Sequence, residues 1–326
     1  MRTAIVVNPR SGGGATGRQL GEIEAAARRH LGEVLLVPTD GPGGGRRAAE
    51  RAVEGGATLV VAVGGDGTAN EVVNGLIDAA RAGSSDVAFG LVPAGTGCDL
   101  AKTLGMPKGW DRAFSALAAA PTRPSDVLIG TMATPSGPIE RAAMNILGFG
   151  LNGEVVHRVN RSSKRLGGLV TFGLATIRSL ASWRAPRVSI AWEGPAGPGG
   201  WQGLLATAFC CNARACGGGI LPAPTALLDD GLIDLVIVPE SPLWRSAMSL
   251  PHLYDGRLQE VKGVVTARVT QLTATVDDAT PIRVDVDGEQ PGTLPLTVAI
   301  RNRCLQVRAP ATGAVFGRGS PYLSPG

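Results

Sequence analysis

Histidine and aromatic side chains are scarce in this sequence, with three histidines (His30, His157, His252) and only 4% Phe, Trp and Tyr among 326 residues. A histidine-built metal centre or a Ser-His-Asp triad has little raw material here. A protein that stacks single-stranded bases would carry more aromatics. The five cysteines (Cys98, Cys210, Cys211, Cys216, Cys304) are odd in number and form no C-x-x-C, so neither a disulfide framework nor a zinc knuckle is indicated. No run approaches the roughly 18 apolar residues of a membrane-spanning helix. The apolar run after Met1-Arg2-Thr3 is too short for a signal-peptide core and reads as a first strand. The expected setting is soluble, reducing and cytoplasmic.

Charged residues are also few, 18% against 44% hydrophobic, a composition that supports a sizeable core. The length suggests two domains. Forty-seven glycines and 23 prolines imply many tight turns, but no Gly-X-Y period that would indicate a collagen-like chain. The net charge of +4 favours anionic partners such as nucleotides or an acidic membrane surface. It lacks the concentration expected of a nucleic-acid binder, so no nucleic acid is expected.

Apolar runs at 3–7, 34–37, 59–63 and 87–92 read as strands, alternating with helical patterns at 18–31, 46–53, 70–81 and 111–120. Continuously apolar strands alternating with helices predict a parallel sheet covered on both faces, hence a three-layer α/β domain over 1–125. From about residue 126 the texture changes. Strands are predicted at 127–131, 141–147, 187–192, 203–211, 232–238, 264–268, 271–276, 282–287 and 296–300, with one strong helix at 168–183. Such a series, punctuated by Gly and Pro, predicts an antiparallel β-sandwich over 126–301. The tail at 302–326 is open to rejoining the first domain. The glycine-proline stretch 194–200 reads as a hairpin tip.

Three glycine-rich turns follow strands of the first domain. The first runs from Asn8-Pro9-Arg10-Ser11-Gly12 to Gly17 and contains a formal G-x-G-x-x-G, although Asn8 to Ser11 separate it from the strand end. A P-loop is excluded, because Arg18-Gln19 stands where Lys-Ser/Thr is required. The second is Gly64-Gly65-Asp66-Gly67-Thr68-Ala69-Asn70-Glu71, a turn into a helix. Consecutive glycines there let backbone approach a phosphate, which the helix N-terminus favours. Asp66 in such a loop needs a cation or water to mediate, or else serves as a helix cap. The third is Pro93-Ala94-Gly95-Thr96-Gly97-Cys98-Asp99. Three such turns at the same ends of three strands converge on one crevice.

These elements, with Asn70-Glu71-Val72-Val73-Asn74-Gly75, resemble the diacylglycerol kinase catalytic family, which includes bacterial soluble lipid kinases and sphingosine and ceramide kinases. The resemblance extends through Leu227-Leu228-Asp229-Asp230-Gly231-Leu232 and Val286-Asp287-Gly288-Glu289, and so covers nearly the whole chain. NAD kinases share the Gly-Gly-Asp-Gly element. The resemblance implies an ATP- and Mg²⁺-dependent kinase acting on a lipid hydroxyl, with diacylglycerol first among acceptors. It implies that Asn8, Pro9, Arg10, Ser11, Gly12, Thr39, Gly65, Asp66, Gly67, Thr68, Ala69, Asn70, Glu71 and Thr96 hold ATP. It further implies that Asp287 is the base for the acceptor hydroxyl, with Glu289 and Asp66 beside the chemistry. Asp230, assisted by the carbonyls of Leu227 and Leu232, would bind magnesium. Taken without that company, Asp287-Gly288-Glu289 reads as a plain hairpin turn. Cys98 stands where the family usually has Asn, which removes an amide hydrogen bond. A kinase of another lipid such as sphingosine or ceramide, an NAD kinase, and a catalytically idle nucleotide- or lipid-binding regulator are the alternative functions.

Arg158, Arg161, Lys164, Arg165, Arg178, Arg184 and Arg187 fall in a stretch from 155 to 192 that has no Asp or Glu. Beside the apolar helix expected at 168–183 they suit either an anionic membrane, at its inner face, or an ordinary solvated rim. The expected partners are thus a lipid substrate at a membrane surface and peripheral contact with that membrane, with a homodimer also open.

Overall fold

The computed structural model describes residues 2–83, 86–94, 98–161, 179, 183–277 and 280–310. It divides into two compact units. The first comprises Met1–Val127, Leu228–Asp230 and Asn302–Gly326, and the second Leu128–Leu227 and Gly231–Arg301.

In the first unit β1 (Thr3–Val7), β2 (Val34–Pro38), β3 (Leu59–Gly64) and β4 (Ala88–Pro93) form a parallel sheet in the order β2-β1-β3-β4. Every residue of β1 and β3 is buried, as their unbroken apolar sequences require of strands covered on both faces. Helices α1 (Ala15–Arg18), α2 (Leu20–Leu31), α3 (Gly44–Glu54), α4 (Asp66–Arg81), α5 (Asp99–Thr103) and α6 (Trp110–Ala119) connect the strands. Helix α4 begins at Asp66, four residues before the expected 70, because Gly65 takes an extended conformation as its N-cap and the turn tightens at once into helix. A final strand joins β4: Gln306 and Val307 of β14 (Glu289–Arg308) pair in parallel with Ala88 and Phe89. The strand expected at 296–300 therefore runs on to Arg308. The polar Asn302-Arg303 step does not end it, since the Arg303 N–H donates to Asp126 Oδ1 at 2.7 Å.

The second unit is an antiparallel β-sandwich. Its strands are the end of β5 (Thr122–Ala133), β6 (Ile139–Ala143), β7 (Ile146–Gly150), β8 (Arg187–Glu193), β9 (Gly199–Cys211), β10 (Ile233–Pro239), β11 (Val265–Val269), β12 (Gln271–Val276), β13 (Arg283–Val286) and the first part of β14. One run is ordered β11-β10-β9-β7-β13-β14, while β8 pairs with the start of β9 and with β12, which pairs in turn with β14. Leu128, Leu147, Phe149, Ile190, Leu235, Leu272 and Val298 share one core. The glycine-proline stretch after β8 is a hairpin tip, where Gly197 N–H donates to the Gly194 carbonyl at 2.9 Å. The strand expected at 141–147 is two, β6 and β7, broken at Met144-Asn145. Helices α7 (Leu151–Arg161) and α8 (Leu243–Tyr254) were not apparent in the sequence pattern. The helix expected at 168–183 lies outside the described residues except for Ser179 and Trp183, whose indole N–H donates to the Leu205 carbonyl at 3.2 Å. No described helix is long and apolar enough to cross a membrane.

Gly75 sits where α4 packs on α3. A Cβ there would overlap the Arg46 carbonyl oxygen and approach Ala49 Cβ to 2.9 Å. Gly75→Ala therefore separates two helices, and overpacking outweighs the gain in helix propensity. A loss of about 1–3 kcal/mol in denaturant unfolding is expected.

Candidate functional site

Two of the glycine turns leave adjacent strands. In the order β2-β1-β3-β4 the progression of the chain reverses between β1 and β3, the switch point at which open α/β sheets bind ligands. Asn8 ties these turns together. Its Nδ2 donates to Thr68 Oγ1 at 3.1 Å, and its Oδ1 accepts the Arg10 N–H at 3.0 Å. The Asn8 carbonyl accepts the Ser11 N–H, and the Pro9 carbonyl accepts the Gly17 N–H. Gly12, Gly13 and Gly14 have φ of 58°, 65° and 85°, a left-handed run that L side chains rarely adopt. Gly64 is required because a Cβ would overlap the Thr68 side chain, whereas a Cβ on Gly65 meets nothing within 4 Å among the described residues.

The acidic residues of the second turn act on neighbouring loops. Asp66 accepts the backbone N–H groups of Asp99 and Leu100, both at 3.1 Å, and contacts Cys98 Sγ at 3.6 Å. It thereby caps α5, which explains why so short a helix forms. Cys98 supplies only a weak thiol donor in this position; burial, then the Asp66 charge, pushes its thiol well above the ordinary range. Glu71 accepts the amides of Gly43 and Gly45, both at 2.7 Å, and so holds the start of α3. Thr39, at the end of β2, is half-buried and donates its N–H to the Val7 carbonyl at 2.8 Å. Ala69 and Asn70 are buried within α4, while Arg10 is exposed. Thr96 lies outside the described residues.

The turn proposed for magnesium is anchored by the first unit's own backbone. The Leu228 carbonyl accepts from Asp126 N–H and Ser125 Oγ, and the Asp229 carbonyl accepts from the Arg303 guanidinium. Gly231, at φ 75°, turns the chain between Asp230 and Leu232.

In the second unit Asp287 and Gly288 form the two-residue turn of the β13–β14 hairpin, with φ of 51° and 88°, and Val286 pairs with Glu289. The Asp287 carboxylate is buried. It accepts the N–H groups of Met144 at 3.1 Å, Asn145 at 3.2 Å and Ile146 at 2.8 Å. These three amides are what break the expected strand into β6 and β7: they turn to a carboxylate instead of a ladder. Glu289 is half-buried at the start of β14. Asp285, not singled out in the sequence, is buried on β13, and its Oδ1 accepts the Gly288 N–H at 2.8 Å. Burial, opposed by that N–H and reinforced by the Asp287 charge, pushes its carboxyl up to about 8. Its sequence signal was a charged residue between Val284 and Val286 two positions before Asp287.

The first unit is a parallel α/β fold with glycine turns at a switch point, and the second is an antiparallel sandwich with a buried carboxylate in one hairpin. Residues 2–129 match the diacylglycerol kinase catalytic domain, and residues 145–309 match the YegS C-terminal NAD kinase beta sandwich-like domain. A probable lipid kinase YegS-like protein from Chromohalobacter salexigens is 34% identical over 225 residues, covering 68% of this chain and 67% of its own. A diacylglycerol kinase from Bacillus subtilis is 27% identical over 297 residues, covering 90% of this chain and 91% of its own. The crystal structure of a diacylglycerol kinase from Bacillus anthracis shares the fold, with TM-score 0.69, 16% identity and coverage of 96% of this chain and 98% of that one. The chain belongs to the diacylglycerol kinase catalytic-domain family of lipid kinases, with a YegS-type C-terminal domain.

Because Asp66 caps α5, Asp66→Ala should lower the unfolding free energy by about 1–2 kcal/mol, and Asp66→Asn, which keeps one acceptor oxygen, by less. Denaturant melts distinguish the two; equal stability of Asp66→Ala and wild type would remove the capping role.

Proposed function

We propose that this protein transfers the γ-phosphate of ATP to a lipid hydroxyl, diacylglycerol first among acceptors, giving phosphatidic acid. The observation that carries this reading is the pair of glycine turns joined by Asn8 and Thr68 at the β1/β3 switch point. Phosphoryl transfer depends on positioning and charge neutralisation more than on covalent chemistry. Turns free of side chains suit the positioning of phosphates, with Asn8 to Gly12, Thr39 and Gly65 to Thr68 nearest them. Glu71 holds the loop into α3, and Asp66 the start of α5, through the amides they accept.

Among the described residues no three His, Cys, Asp or Glu gather into a metal cage. Mg²⁺ takes one or two carboxylates plus water and phosphate, so a single carboxylate with nearby carbonyls is chemically suited to it. Asp230, with the carbonyls of Leu227 and Leu232, would hold the ion, and its chemistry would be to offset phosphate charge. Asp287 is assigned as acceptor of the hydroxyl proton, and Glu289 as its neighbour in the same hairpin. A weak base suffices, since the nucleophile needs little deprotonation in a loose transition state. Peripheral contact with an anionic membrane is part of the proposal. Arg184 and Arg187 are exposed, while Arg158 is paired with Glu154 at 3.0 Å.

Asp287→Asn tests the assignment. The substitution sets an NH₂ against backbone N–H donors, so stability should fall by about 1–3 kcal/mol. On the folded protein, kcat should drop about 10²–10⁴-fold with the Kd for an ATP analogue nearly unchanged. Near-normal turnover would remove Asp287 from the chemistry.

A further inference from the structure

Asp285 is the buried acid that the account above leaves without a task. It lies on β13 with its side chain directed at the turn that carries Asp287, and Oδ1 accepts the Gly288 N–H at 2.8 Å. Both residues of that turn are left-handed, so the corner needs a fixed internal contact to hold its shape. No cation pairs with Asp285 among the described residues. Several charged groups described on the elements packed against β13 are engaged elsewhere. Glu154 bonds Arg158 and Arg283, at 3.0 and 3.1 Å, and His157 Nδ1 meets Gln290 Oε1 at 2.8 Å. Arg141 Nη1 donates to the Glu140 carbonyl on β6, and Asp287 and Glu289 lie on the hairpin itself. Farther along β14, Arg301 is exposed, Arg303 donates to the Asp229 carbonyl, and Arg308 donates to the carbonyls of Ala118 and Ala120. A buried carboxyl with one amide donor and no cation is held in its uncharged form.

We propose that Asp285 is a positioning residue for the proton acceptor Asp287: as the uncharged acid, with its proton on Oδ2, it pins the Gly288 amide, fixes the Asp287–Gly288 turn and keeps a second charge away from that corner. The inference rests on the reading of Asp287 as proton acceptor. Ionisation of Asp285 would place like charge beside Asp287 and beside the negative phosphoryl group in transfer, so turnover should fail as the acid is lost.

The test is Asp285→Asn, which retains an acceptor oxygen for Gly288 but cannot ionise. Each protein is assayed at saturating ATP and lipid, and its kcat is normalised to its own value near pH 7. Wild-type kcat should fall about tenfold between pH 7 and pH 9, while the variant should stay within about twofold. The infrared carbonyl stretch of a protonated carboxyl should be present in wild type near pH 7, lost near pH 9, and absent from the variant at both. Superimposed pH profiles in two active proteins, or no such band in wild type, would overturn this inference alone. No phosphate transfer by wild type to any lipid would overturn the kinase reading with it.

Discussion

A backbone N–H buried without an acceptor costs about 1–3 kcal/mol, and loops at strand ends leave many such groups outside the sheet ladder. In this protein carboxylates accept them. Glu71 takes the amides of Gly43 and Gly45, Asp66 those of Asp99 and Leu100, and Asp126 that of Arg303. In the second unit Asp287 takes three amides and Asp285 one. Asp285 apart, each acid lies more than 25 residues in sequence from the amides it serves. The loop into α3 and the start of α5 are therefore set by side chains of the second glycine turn.

This arrangement changes what the acidic motif residues mean. A carboxylate is unfavourable where it faces phosphates, and its charge is better accommodated where its oxygens are turned to backbone amides. Asp66 and Glu71 are in the second situation. Asp287 is locked in one orientation by its three donors, as the proposed role of proton acceptor would require.

The parallel sheet was legible because β1, β3 and β4 are apolar along their whole length, and the sandwich because short alternating strands are separated by Gly and Pro. What escaped the pattern was caused from a distance. The break between β6 and β7 follows from Asp287, more than 140 residues away, and no local residue at Met144-Asn145 announces it. Helix α5 has Asp99 as its own start signal, but the cap on its first amides comes from Asp66, 33 residues away. The continuity of β14 through Asn302-Arg303 depends on Asp126. At the site, the glycine turns and the Asp287 hairpin stood out as motifs. Asp285 did not, because one acid among valines looks like ordinary strand alternation and its burial shows only in the fold.

The central claim is that phosphate passes from ATP to a lipid hydroxyl. The most direct measurement is transfer of label from γ-phosphate-labelled ATP to diacylglycerol, monoacylglycerol, sphingosine, ceramide, undecaprenol and NAD, each offered separately, the lipids in mixed micelles with Mg²⁺. The account predicts label in a lipid product, with diacylglycerol the leading acceptor, and none in NAD. Label in NAD alone, or in no acceptor with folded protein that binds ATP, would contradict it.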